Sequence, residues 1–122
     1  MRNTATRVIA ATGVLIFGSL SLTATNAIAE EKSAVAEGKA ISLNRKTGNC
    51  IACHAMADGD QPGNIGPELV NIKMKYPDKA TLRNQIWDAT TVNPNTIMPP
   101  FGKHKILKED EIDKVVEYIY TL

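Results

Sequence analysis

The chain has 122 residues, with 14 Lys and Arg against 13 Asp and Glu, and 43% of its residues are hydrophobic. So even a charge balance excludes a strongly basic nucleic-acid binder, and the length suits one domain with a limited core of its own. Its chemistry has to be sought around two cysteines and two histidines.

Residues 1–29 read as a secretory signal peptide. Arg2 and Arg7 supply the positive start, Val8–Leu22 is largely apolar and uncharged, and Ala27-Ile28-Ala29 is a small-x-small cleavage site before Glu30 and Glu31. The alternative is an uncleaved anchor, but the apolar stretch falls short of the roughly 20 residues that span a bilayer. Cleavage after Ala29 would place residues 30–122 in the periplasm as a single domain. Without Arg2 and Arg7 that domain carries 12 basic and 13 acidic side chains.

After a charged start, Ser33 is the expected cap of a first helix running through Val35, Ile41 and Leu43, with Ser33 and Glu37 favouring its N-terminal end. Gly38 in this helix either permits close approach of Tyr118 or Ile119, or is a plain weakness of about 1 kcal/mol. Gly48-Asn49 breaks the chain before Cys50-Ile51-Ala52-Cys53-His54. This C-x-x-C-H spacing is that of c-type haem attachment. Residues three apart share one side of a helical turn, so both thiols can meet one haem edge and bond its two vinyl groups. The imidazole of the next residue then points at the iron, where histidine is a usual axial ligand.

Three other readings of the five residues stay open. A redox dithiol belongs near a βαβ pattern, and no convincing alternating strands occur. A structural zinc site needs about four ligands, and the remaining histidine, His104, is distant. A disulfide here would close a very small loop and stabilise little.

Gly59 to Pro67 is a loop held irregular by glycine and proline. Asp78, after Pro77, caps a second helix with Leu82, Ile86 and Ala89 as its apolar stripe and Trp87 beside it. Asn93–Gly102 is a second loop, interrupted by Pro94, Pro99 and Pro100. Glu109–Tyr120 is the strongest helix: four acidic residues crowd its first turns, as the macrodipole favours, and Ile112, Val115, Val116 and Ile119 form one face. Helices separated by Gly/Pro loops give an all-α fold, with the end helices packed together around one haem.

A low-spin electron carrier requires a second axial ligand, and Met/His is a known pairing. Met56 is too near His54 in sequence, and Met74 lies in a short segment where packing is its plain role. Met98 precedes Pro99-Pro100, which push it into an extended conformation and stiffen the chain after it. Met98 is the expected iron ligand, and His104 the alternative. Ligating histidines donate their other ring N–H to an acceptor, a role open to the carbonyl of Pro67. Lys103, His104, Lys105 and Lys108 form either a positive rim that steers an acidic partner or an ordinary solvated charge run.

Together the C-x-x-C-H, Gly66-Pro67-x-Leu69 and Met98-Pro99 resemble a class I cytochrome c. More narrowly, Gly48–His54, Gly63–Pro67, Ile86-Trp87-Asp88-Ala89, Met98–Gly102 and the ending from Asp113 are similar to the SoxX cytochrome subunits of bacterial sulfur oxidation. Glu68 departs from the second proline expected after Gly66-Pro67.

That resemblance implies an all-α class I cytochrome c fold with one covalent haem c. It also implies a heterodimer with SoxA, a second c-type cytochrome, and a downstream electron-accepting cytochrome. The pair would couple thiosulfate oxidatively to a cysteine of a carrier protein, with two electrons leaving through haem. The sulfur chemistry in that family belongs to a cysteine of SoxA. The sequence agrees independently, since its two thiols are committed to thioethers and no nucleophile remains. The chain is therefore expected to show no activity alone. A freestanding periplasmic mono-haem carrier is the main alternative, and an open-site gas sensor is a third.

Overall fold

The computed structural model describes residues 22–122, with side chains from Ala27 onward. The expected signal peptide therefore lies mostly outside the described residues. Among those described, the fold is helical and no strand occurs. Four α-helices follow in order: α1 (Leu22–Leu43), α2 (Ile72–Lys75), α3 (Lys79–Trp87) and α4 (Glu109–Ile119). Short 3₁₀ turns span Cys50–Ala52 and Ala89–Thr91. No described helix is long and apolar enough to cross a membrane.

α1 starts earlier than the capping pattern predicts and runs without a break across Ala29 and Glu30. Ser33 is consequently an interior residue, and its hydroxyl donates to Glu37 Oε1 at 3.1 Å one turn on. A hydroxyl that finds an acceptor on its own helix face does not end the helix, whereas a capping hydroxyl must accept from free backbone N–H groups. Asp78, by contrast, caps α3 as predicted, accepting from Ala80 N and Thr81 N at 3.2 Å each. At the start of α4 the Glu111 carboxylate accepts from Lys108 N at 2.8 Å.

The packing of α1 on α4 is the main helix–helix contact, and Gly38 makes it possible. A Cβ added there would overlap the Lys114 carbonyl oxygen and lie 3.0 Å from Tyr118 Cβ. Close approach, and not helix weakness, is the reason for the glycine. Ion pairs flank the crossing, Lys114 Nζ to Glu37 Oε2 at 2.8 Å and Lys39 Nζ to Asp58 Oδ1 at 3.0 Å. Tyr118, almost fully buried, donates to Asp58 Oδ2 at 3.2 Å, which ties α4 to the segment after the C-x-x-C-H. Burial, with the Asp58 carboxylate beside it, pushes the Tyr118 phenol up to about 12.

α4 buries Ile112, Val115, Val116 and Ile119, the i, i+3, i+4, i+7 face expected of an amphipathic helix, and Tyr118 beside them. α3 adds Leu82 and Ile86 to the same core. It is fastened to α4 on the outside by Arg83 Nε to Asp113 Oδ1 and Lys79 Nζ to Glu117 Oε2, both 2.6 Å. The α3 stripe ends sooner than expected: Ala89 falls in the 3₁₀ turn but is still completely buried. The helices leave one large cavity between α3, α4 and the two Gly/Pro loops.

Candidate haem site

Asn49 adopts a left-handed conformation (φ 47°, ψ 35°) and redirects the chain from the end of α1 into the Cys50–Ala52 turn. An asparagine tolerates that region far better than a branched residue. Cys53 N and His54 N both donate to the Cys50 carbonyl, at 3.2 and 2.9 Å. In a 3₁₀ turn residues i and i+3 eclipse, so the backbone brings Cys50 and Cys53 to one side. Both thiols are free and half-buried. Burial pushes the Cys50 thiol up, the opposite of what a reactive dithiol needs.

The loop before α2 folds back over this turn. Gly63 N donates to Ile51 O, Gly66 N to Cys53 O and Leu69 N to Ala55 O, each at 2.8 Å. Pro67 O comes to 2.6 Å from His54 Nδ1. A carbonyl only accepts, so Nδ1 carries the proton and Nε2 keeps its lone pair. Gly66 supports the ring from one face, where an added Cβ would lie 2.5 Å from Cε1 and 2.7 Å from Nδ1. This role of Gly66 is invisible in the sequence, which shows only a loop breaker.

Cys50, Cys53, His54 and Met98 all line one cavity of about 770 Å³. Its deep wall is apolar, formed by residues such as Leu82, Ile86, Phe101 and Val115. The size is that of a site for a single sizeable ligand. Of the three methionines among the described residues, only Met98 lines it. Met56 is buried elsewhere, with its Sδ 3.8 Å from the Tyr118 hydroxyl. Met74 is 81% exposed, and His104 is exposed with its ring outside the cavity. Two thiols on one side of a turn, an imidazole with a free Nε2, a thioether and an apolar wall fit haem c.

The basic run after the Met98 loop does not form the cavity's rim. Lys103 pairs with Asp88 at 2.7 Å, and none of Lys103, His104, Lys105 or Lys108 lines the cavity. The cations at its margin are Arg45, Lys46 and Lys75. Arg45 and Lys46 are adjacent, just after α1, and Lys75 ends α2. Among the described residues no three His, Cys, Asp or Glu side chains converge as a metal ion alone would require.

Residues 33–119 match the family model described as cytochrome c oxidase, cbb3-type, subunit III. A crystal structure of SoxXA from P. pantotrophus is similar with a TM-score of 0.63 and 28% identity, over 70% of this chain and 79% of that one. An uncharacterized lipoprotein of Aquifex aeolicus (strain VF5) is 35% identical over 79 residues, which is 62% of this chain. The chain spans 37% of the length of that relative. With an all-α class I cytochrome c fold, a C-x-x-C-H turn on an apolar cavity and a family match over most of its length, the chain belongs to this family of haem c-binding cytochromes.

Proposed function

We propose that the chain is the mono-haem electron-transfer subunit of a SoxXA-type complex, exported to the periplasm and trimmed after Ala29. Cys50 and Cys53 would hold the haem through thioethers, with His54 Nε2 and Met98 Sδ as its axial ligands. The haem supplies reversible one-electron storage. The protein orients the imidazole through the Pro67 carbonyl, excludes water with the apolar wall, and presents Met98 on a proline-stiffened loop.

The observation that carries the narrower reading is the likeness to SoxXA at 28% identity. It joins the Trp87-Asp88-Ala89 and Met98–Gly102 blocks, which occur in the order expected of a SoxX subunit. The partner would be a SoxA cytochrome, whose cysteine would take the sulfur while this chain receives electrons released as thiosulfate is coupled to a carrier-protein cysteine. A cytochrome downstream would reoxidise it. Both thiols here would be committed to haem, so the sulfur chemistry would fall to the partner. No activity is expected of the chain alone.

A freestanding periplasmic carrier is the second reading. It is favoured by the family model, whose description names an oxidase subunit and not a sulfur enzyme. Native purification with haem staining separates the two: a second c-type cytochrome that co-purifies stoichiometrically supports the first, and a lone mono-haem species supports the second.

A further inference from the structure

The loop that carries Met98 packs its methionine against the core but has few hydrogen bonds to the rest of the domain. Inside it, Thr96 N donates to Asn93 O at 3.0 Å and Met98 N to Thr96 Oγ1 at 3.1 Å. These bonds shape the loop and do not locate it. No hydrogen bond among the described residues joins positions 94–99 to anything outside the loop itself.

The loop is instead held at its neck. The Trp87 carbonyl accepts from Gly102 N at 3.1 Å and Lys103 N at 3.2 Å. Gly102 sits directly on the Trp87 indole, where any Cβ would overlap the ring. Next to this, the buried Asp88 carboxylate receives Lys103 Nζ at 2.7 Å on one oxygen. Its other oxygen accepts from Thr90 N at 3.1 Å and from the Thr90 hydroxyl. Residues 87–88 and 102–103 thus form two sides of a clasp, with the whole Met98 loop between them. A charge-assisted bond to a buried carboxylate is among the stronger hydrogen bonds available to a protein.

We propose that the Asp88–Lys103 pair is a positioning clasp that keeps Met98 Sδ presented to the cavity and so keeps the sixth iron position closed to outside ligands. The proposal rests on Met98 being the axial ligand. Asp88 and Lys103 touch neither haem nor substrate, so they act only through the loop.

The test uses the full haem-loaded chain and imidazole as the probe, because imidazole binds ferric iron only after the methionine has left. The saturating rate of imidazole binding then reports how often the loop opens. Lys103→Met and Asp88→Asn should each raise that rate by about tenfold, the scale of one charge-assisted bond. Lys103→Arg should restore it to within about twofold of wild type. Lys79→Met breaks the Lys79–Glu117 pair, which is equally short but lies away from the loop. It should leave the rate unchanged, although it lowers thermal stability in the same way.

Unchanged rates in Lys103→Met and Asp88→Asn, or an equal rise in Lys79→Met, would overturn the clasp. A Met98→Ala protein that keeps the sulfur-to-iron charge-transfer band would overturn the ligand reading, and the clasp with it. Loss of that band in Met98→Ala alongside unaltered imidazole rates in the clasp variants would remove the clasp alone.

Discussion

The carbonyl oxygen of Pro67 stands 2.6 Å from Nδ1 of His54, a residue thirteen positions earlier in the chain. One short hydrogen bond therefore determines which ring nitrogen is free for the cavity and how the ring is turned. Gly66 makes the approach possible, because its α-carbon lies where any side chain would meet the imidazole.

Gly66→Ala should push the ring away from Pro67 and weaken that bond. An imidazole that loses such a bond is a poorer donor, so the oxidised iron is less well stabilised. The reduction potential should rise by on the order of 60 mV, equivalent to a tenfold change for one electron. Potentiometric titration of the haem-loaded variant checks this, and an unchanged or lowered potential counts against the orienting role.

Gly38→Val should cost at least about 2 kcal/mol, since it drives a branched side chain into the backbone of α4. Ala36→Val, at an exposed position of the same helix, should cost about 0.5 kcal/mol or less. Urea midpoints of the two variants measure the difference. Equal midpoints would mean that the α1–α4 crossing does not depend on the glycine.

Acid should weaken the clasp. The Lys103 ammonium, helped by Thr90, holds the Asp88 carboxyl below its ordinary value. A carboxylate lowered in the folded state contributes stability above its unfolded value, about 3.9, and loses it as pH falls through the lower folded value. The Lys39 ammonium lowers Asp58 in the same direction. Asp88→Asn should therefore be less stable than wild type near neutral pH, with the gap closing below about pH 4. Denaturant midpoints across that range check the sign, and a gap of constant size would contradict it.

Much of this arrangement is readable in the chain because it depends on local signals. The C-x-x-C-H spacing, the Asp78 cap, the acidic first turn of α4 and the prolines after Met98 each act within a few residues. What escapes the sequence is set by contacts between distant segments. Gly66 looks like a loop breaker until the His54 ring is found against it, and Lys103 looks like part of a basic run until Asp88 is found 2.7 Å away. Ser33 misleads for the opposite reason. Its capping chemistry is genuine, but in the untrimmed chain a helix already running from Leu22 leaves it no free N–H groups to accept from.

The site reading is tested most directly by the sulfur-to-iron charge-transfer band of the ferric, haem-loaded chain. Met98 lines the cavity shared by Cys50, Cys53 and His54, whereas Met74 is exposed on the surface. Absorbance at the red edge of the visible spectrum should show the band in wild type and in Met74→Ala, and should lose it in Met98→Ala. A band that survives in Met98→Ala, or disappears in Met74→Ala, would contradict the account of how this cavity holds haem.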